Sequence, residues 1–460
     1  MPARPSRPRS PHTCRLSALD VLHPDAAGID IGSAFHVAAV TLPGQDTVEV
    51  RSFGACTADL EALADWLKLH RVTTVALEST GVYWIPLYDL LQSRGFAVLL
   101  VDPRQIQRAP GRPKTDVADA QWIRRLHSLG LLRGAFRPDE DFRVLRCYLR
   151  QRANLVRQAA GHIQHMQKAL EQMNVKLTEV VSDITGKTGM SILQAILAGG
   201  RDPACLARLR DPRCKQNAEQ IGRALQGTWR PEHLFELKQA VEGYEFYQRQ
   251  ISACDEQIDQ HLQSLEVPQA ADPPPRKRRL KKHANGLRFD GRQRLYRATG
   301  VDLTAIEGIE EGTALVLLSE IGTDMSRWPS SKQFCSWLGL CPQVKLSGGK
   351  VLSAKVRVGP NRAAQALRLA ANSLQVSKSA LGAFFRRIAA RAGRAKAVTA
   401  TAHKLGRLVY ALLKHGEAYV AQGQQAYEER YRERVVRHLS RKAAELGYEL
   451  KQRPGEEAPV

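Results

Sequence analysis

Two stretches with a seven-residue period constrain this chain more than any other feature. In the first, Leu149, Val156, Ile163, Leu170 and Leu177 hold one heptad position and Leu145, Ala159, Met166 and Met173 the companion position, broken only by Arg152. In the second, Leu237, Tyr244, Ile251, Ile258 and Leu265 repeat, with Leu234, Val241 and Leu262 beside them, broken by Gln248 and Asp255. Apolar residues at this period draw a stripe along a helix that packs on another helix. Two arms of matching length predict an antiparallel hairpin or an intermolecular coiled coil, and read most simply as a bundle core without a catalytic role. Between them, at about 178–231, lies a helical insert containing Gly186-Lys187-Thr188. A phosphate-binding P-loop needs a glycine where Val181 stands, so nucleotide binding is excluded.

Upstream of the arms the pattern changes to short alternating runs. Gly28-Ile29-Asp30-Ile31-Gly32, His36 to Leu42 and Val48 to Phe53 predict a three-stranded meander. A helix at Ala58 to His70, a strand Thr74 to Leu77 ending in Glu78, a helix from Trp84 to Ser93 and a strand Ala97 to Val101 follow. This α/β order suits a mixed sheet with helices on its faces. Asp30 interrupts an apolar strand and Glu78 ends another, and a buried carboxylate is costly unless it is paired or metal-bound. Asp116 and Asp119 lie three apart at the start of a predicted helix, with about 5 to 6 Å between Cβ atoms. Ile123 and Leu126 continue that stripe, so the face that docks the helix carries the acids with it. Acids in a first turn also complement the helix dipole without further role. Two readings therefore stand: unrelated surface acids, or Asp30, Glu78, Asp116 and Asp119 converging at one sheet edge. All-oxygen ligands of this kind select a hard divalent ion, Mg²⁺ or Mn²⁺.

The 68 Lys and Arg against 46 Asp and Glu give a net charge of +22 and favour a polyanionic partner, nucleic acid by default. No apolar run is long enough to span a bilayer. Residues 1–15 are rich in Pro, Arg and Ser and lack a signal peptide's apolar core, so a disordered basic arm on a cytosolic protein is expected. The eight cysteines are scattered, which argues against structural zinc and disulfides alike.

After the arms, 270–288 reads as a linker holding Arg276, Lys277, Arg278 and Arg279, whose phosphate contacts would each add about 0.9 to the salt slope of duplex binding. Gly308 and Gly312 belong to a Gly-Ile-x-x-Gly turn between two helical patterns. It resembles a helix-hairpin-helix whose backbone N–H groups hold a phosphate, or else is a plain helix-helix turn. Glu310 and Glu311 oppose tight phosphate contact. Ser347 precedes two glycines and is bracketed by Lys345 and Lys350, which can neutralise phosphate. Ser353 is its local competitor. Downstream helices carry Arg368, Arg386, Arg387, Arg391, Arg394, Lys396, His403 and Lys404.

The order Gly-Ile-Asp-Ile-Gly, Leu-Glu-Ser-Thr-Gly-Val-Tyr-Trp, Val-Asp-Pro and Lys-Thr-Asp-Val-Ala-Asp-Ala resembles the DEDD transposases of bacterial insertion sequences, the IS-one-ten group with its IS-eleven-eleven relatives. Leu-Gly-Leu-Cys-Pro, Ser-Gly-Gly and Gly-Pro-Asn-Arg resemble the same family's carboxy-terminal domain. The resemblance implies an RNase H-like (RuvC-like) domain whose four acids are Asp30, Glu78, Asp116 and Asp119, and a serine nucleophile at Ser347. It also implies a homo-oligomer, a tetramer by the family's habit, and an element-encoded guide RNA that pairs with DNA. The chain departs from the family in its amino-terminal arm, in Glu307 where proline is common, and in its polybasic linker.

The fold expected is α/β plus α, divided as a basic arm (1–26), a RuvC-like DEDD domain (27–138), coiled-coil helices with an insert (139–269), a polybasic linker (270–288), a mostly helical serine transposase domain (289–420) and a charged tail (421–460). The function expected is an Mg²⁺-dependent transposase acting on DNA in the bacterial cytoplasm, at the nucleoid. The alternatives are a junction-resolving nuclease that uses only the acids, with Ser347 structural, and a non-enzymatic nucleic-acid scaffold.

Overall fold

A computed structural model of the chain describes residues 21–42, 47–79, 81–106, 115–266, 272–275, 285–356, 359 and 361–450, without the side chains of 417–428. The arm at 1–20, Arg276, Lys277, Arg278 and Arg279, and residues 451–460 lie outside the described residues. The chain divides after Arg137 into two compact units.

The first unit contains β1 (Ala26–Ile31), β2 (Phe35–Thr41), β3 (Val48–Gly54), α1 (Thr57–Leu69), β4 (Thr74–Glu78), α2 (Trp84–Ser93), β5 (Ala97–Val101), α3 (Pro103–Ile106) and α4 (Asp116–Ser128). The sheet order is β3-β2-β1-β4-β5. The expected meander is present as two antiparallel pairings, β1 with β2 and β2 with β3, while β4 and β5 add in parallel. Period-two alternation sends Ala27, Ile29 and Ile31 of β1, with Val75 and Leu77 of β4, to one face, where α1 and α2 bury Leu63, Leu67, Leu87 and Leu91 against them. The opposite face takes α4: Ala120 meets Val37 and Ala39, and Ile123 meets Ala76 and Val101.

Close approach of α4 depends on Gly28. A Cβ there would lie 2.1 Å from Arg124 N and 2.6 Å from Ala120 O, so any other residue would push the helix off the strand. The far end of α4 is pinned by His127, which is buried. The Thr74 hydroxyl donates to Ala97 O at 3.0 Å and lies 2.9 Å from His127 Nε2, which therefore donates to it. Burial, and secondarily the neighbouring His23, pull the His127 imidazole down to about 4. Leu22 and His23 donate backbone N–H groups to Ser128 O, so the described end of the amino-terminal arm is tied to the same helix end.

The second unit begins with α5 (Glu140–Gln172), followed by the short helices α6 (Leu177–Val180), α7 (Lys187–Leu197), α8 (Pro203–Ala207) and α9 (Ala218–Ala224), and then α10 (Pro231–Ser264). Of the two arrangements that the heptads allowed, the hairpin within one chain is the one present. The two helices run antiparallel: His261 Nε2 lies 2.8 Å from Asp141 O, His162 lies beside Tyr247, and Thr228 N donates to Met173 O. The breaks in the two stripes meet. Arg152 Nε donates to Asp255 Oδ1 at 2.6 Å, and Asp255 is buried. The first stripe overran its helix, for the chain turns at Asn174, whose φ is +55°, and Leu177 opens α6 instead. The insert buries Ile192, Leu193, Ile196, Leu206 and Ile221 against the tip of the arm. Thr188 Oγ1 accepts from Asp211 N at 2.9 Å.

The remaining elements are α11 (Gly291–Thr299), a 3-10 turn at Leu303–Ala305, α12 (Glu311–Ile321), α13 (Ser331–Trp337), β6 (Lys345–Ser347), β7 (Lys350–Ser353), α14 (Arg362–Ser373), α15 (Ala380–Ala392), α16 (Arg394–His415) and α17 (Glu417–Glu445). Both described ends of the polybasic stretch are anchored within this unit. Pro274 O accepts from Arg292, Asp272 accepts from Gln293 and Arg297, and Asn285 O and Gly286 O accept from Arg152. Around α16, Leu405, Val409 and Tyr410 are buried with Phe334, Leu338 and Leu367, and Tyr410 donates to Trp328 O at 2.7 Å. No helix among the described residues is long and apolar enough to cross a membrane.

Candidate active site

Parallel pairing of β1 with β4 aligns Ile29 with Leu77, so Asp30 and Glu78 follow at the same, carboxyl, edge of adjacent strands. Because Ile29 and Leu77 face α1 and α2, alternation sends Asp30 and Glu78 to the face that α4 covers. Thr115 sets the start of that helix: its Oγ1 accepts from Ala118 N at 3.2 Å, and its carbonyl from Asp119 N at 2.8 Å. The first turn thus carries Asp116, which is exposed, and Asp119, half-buried like Asp30 and Glu78. Asp119 heads the stripe that Ala120 and Ile123 bury, so docking on Gly28 brings its turn toward Asp30. The fold therefore places Asp30 and Glu78 at one edge of the sheet, on the face covered by the helix whose first turn carries Asp116 and Asp119.

Among the described residues, no three acidic, His or Cys side chains are gathered tightly enough to hold a metal ion. Residues 107–114, which lead into α4, lie outside the described set. The donor set itself, all carboxylate oxygen, fits a hard divalent cation and offers nothing to a soft one. Sequence reading did not weigh Asp102 as a ligand. It follows β5 at the same edge, but its Oδ1 accepts from Arg104 N at 2.9 Å and caps α3. Val82 and Tyr83 after Glu78, and Val117 between the two helical acids, are exposed apolar residues.

Ser347 belongs to the second unit. It ends β6, and the register pairs it directly with Lys350 across a two-residue turn. Gly348 and Gly349 have φ of +54° and +75°, the doubly left-handed turn that matches strand twist and requires glycine-like residues. Ser347 and Lys350 thus sit side by side on one face of the ribbon, and both are exposed. Lys345 is separated from this pair by a bulge between itself and Leu346. Ser353 is less exposed, and its Oγ accepts from Lys355 N at 3.4 Å.

In the segment that resembles a helix-hairpin-helix, α11 and then the 3-10 turn precede Gly308, and Gly312 already belongs to the first turn of α12. Gly308, with φ +88°, faces inward: a Cβ would come within 3.1 Å of Ala370 O at the end of α14. Glu307 accepts from the Ser377 hydroxyl. Gly312, within the first turn of α12, has open space where a Cβ would stand.

Comparison with known families matches residues 27–175 to the DEDD transposases of the IS110 type, described as Transposase, and residues 302–386 to the Transposase IS116/IS110/IS902 family. The first match contains the sheet and all four acids; the second contains Gly308, Gly312 and the Ser347 ribbon. No individual curated protein matches the chain. Two family matches in this order, together spanning just over half of the residues, establish that the chain belongs to the IS110 family of DEDD transposases, enzymes that cut DNA and transfer its strands.

Proposed function

We propose that this transposase uses two cooperating parts, the acids Asp30, Glu78, Asp116 and Asp119 and the hydroxyl of Ser347. The observation that carries the reading is the position of Asp30 and Glu78 at the ends of adjacent parallel strands, beneath the helix whose first turn bears Asp116 and Asp119. Bound by these carboxylates, Mg²⁺ (or Mn²⁺) would supply Lewis-acid stabilisation of the scissile phosphate. The serine hydroxyl gives up its proton and its oxygen bonds to phosphorus. The bond from phosphorus to one strand's oxygen breaks, and that oxygen leaves as a hydroxyl carrying a proton. Attack by a DNA hydroxyl reverses the exchange and frees the serine, so the phosphodiester is conserved for rejoining. Lys350, paired across the strand from Ser347, neutralises the phosphate there. Lys345, the glycine turn and the basic segment after Pro275 are assigned to further phosphate contacts. From the family resemblance come a tetramer in which the acids of one subunit meet the serine of another, an element-encoded guide RNA, and a place of work on nucleoid DNA in the cytoplasm.

The test is a denaturing gel of full-length protein with Mg²⁺, substrate DNA and its RNA. A DNA-linked protein species is expected, lost together with product in Ser347→Ala and kept in Ser353→Ala. Asp30→Asn and Asp116→Asn should each lower cleavage by about a hundredfold or more, as removing one electrostatic stabiliser does elsewhere, while leaving DNA binding intact. Normal cleavage by Ser347→Ala, with no adduct in either protein, would establish the resolvase reading instead.

A further inference from the structure

The charge of this protein is concentrated. Between Asp324 and Glu417 the sequence holds seventeen Lys and Arg and no Asp or Glu, against a net charge of +22 for the whole chain. From the middle of this acid-free stretch stands the ribbon of β6 and β7. Its ladder extends below the two strands, through Gln343 N donating to Lys355 O and a bridge between Pro342 and Val356. Every residue of β6, and all of β7 but Ser353, is exposed on both faces. Leu346, Val351 and Leu352 are 65%, 61% and 68% exposed, and Lys345, Lys350 and Lys355 are exposed among them. Among the described residues nothing lies within 4 Å of where a Cβ would stand on Gly348 or Gly349, so the tip projects clear of them.

A two-stranded ribbon standing free in water is marginal in stability, and so many exposed aliphatic side chains on one call for a cover. The cover must also accept lysines with no acid anywhere between Asp324 and Glu417 to balance them. A polyanion with apolar surface between its charges meets both demands. We infer that the ribbon Pro342–Val356 enters the major groove of duplex DNA, with its lysines on the phosphates that wall the groove and its aliphatic residues against base edges and thymine methyl groups. The major groove of B-form DNA admits a two-stranded ribbon, whereas the deep, narrow major groove of duplex RNA does not. This contact deepens the proposed reaction by bringing the tip of the ribbon to DNA, but it does not depend on Ser347 being the nucleophile.

Binding of full-length protein to a labelled random-sequence DNA duplex, across a salt series, tests the inference, with an RNA duplex of the same sequence in parallel. Lys345→Gln, Lys350→Gln and Lys355→Gln combined should reduce the salt slope on DNA by about 0.9 for each lysine. Leu346→Ser with Leu352→Ser should weaken DNA binding about tenfold at every salt concentration and leave the slope unchanged. RNA binding should not respond to the leucine changes. Circular dichroism melting should match wild type, because the altered side chains are exposed. An unaltered slope, an unaltered DNA affinity in the leucine variant, or equal losses on DNA and RNA would each overturn the inference. A leucine variant whose only change is a smaller species in sedimentation would show that a second copy of this chain covers the ribbon. Ser347→Ala should bind in these assays like wild type, so a failed nucleophile and a failed groove contact give different results.

Discussion

At the scale of single residues, Gly28 and His127 bracket the helix that carries two of the acids. Replacing Gly28 with Ala sets a methyl group 2.1 Å from the α4 backbone, which cannot yield as a side chain would. We expect a loss of roughly 1 to 3 kcal/mol, as in other overpacked cores, and a fall in cleavage, because the first turn of α4 shifts with the helix. Unchanged melting and cleavage would mean that α4 docks elsewhere. His127 gives a pH signature. Its folded pKa of about 4 lies below the usual 6.5, so the native state holds it neutral while the unfolded chain takes up a proton. Its contribution is therefore complete above pH 6.5 and declines as pH falls toward 4, with a slope of at most about 1.4 kcal/mol per pH unit. Urea titrations should show this decline and His127→Gln should flatten it; an equal decline in both proteins would assign it to other groups. Of these residues the sequence announced the acids, since carboxylates break an apolar pattern. It was silent on Gly28 and His127, whose roles arise only when α4 lies across the sheet.

At the scale of elements, the strands and their order were readable because alternation and apolar runs leave few other choices; β4 and β5 begin and end where the pattern placed them. The arms were readable from their period. Arg152 and Asp255 looked like separate flaws in two stripes, and only the antiparallel register, set by tertiary packing, makes them partners. Breaking a buried pair leaves an uncompensated charge, so Asp255→Leu alone should cost about 3 to 5 kcal/mol. Arg152→Leu with Asp255→Leu should recover much of that, though Asn285 O and Gly286 O lose their donor. Thermal unfolding of the four proteins of this cycle measures the coupling; strictly additive losses would contradict the pairing. The Ser347 ribbon was legible only as a glycine turn, because segments so short and lysine-rich carry little strand signal. The helix over the charged tail was not foreseen either, for its side chains at 429–446 are largely exposed and show no docking stripe.

At the scale of the whole molecule, the acids and the serine lie in separate units, each matched by its own family segment, and the arm occupies the sequence between them. Removing one heptad from α5 alone would slide Arg152 about 10 Å past Asp255, at 1.5 Å per residue. We expect that deletion to lower the melting temperature and abolish transposition. Removing facing heptads from both arms should restore the melting temperature, and transposition should remain impaired if the arm's length sets the distance between cooperating subunits. Full transposition by the doubly shortened protein would make the arm a passive spacer. The arm's base has a further meaning. The chain climbs α5 for about 50 Å and returns along α10 to where it set out, since His261 of the descending helix rests on Asp141 of the ascending one. A segment that departs and returns at one point leaves no gap when it is lifted out and forces none open when another is put in. The arm is thus a cassette in the architectural sense: its two ends lie side by side at its base, so facing lengths of α5 and α10 can be removed or added together without parting the chain on either side.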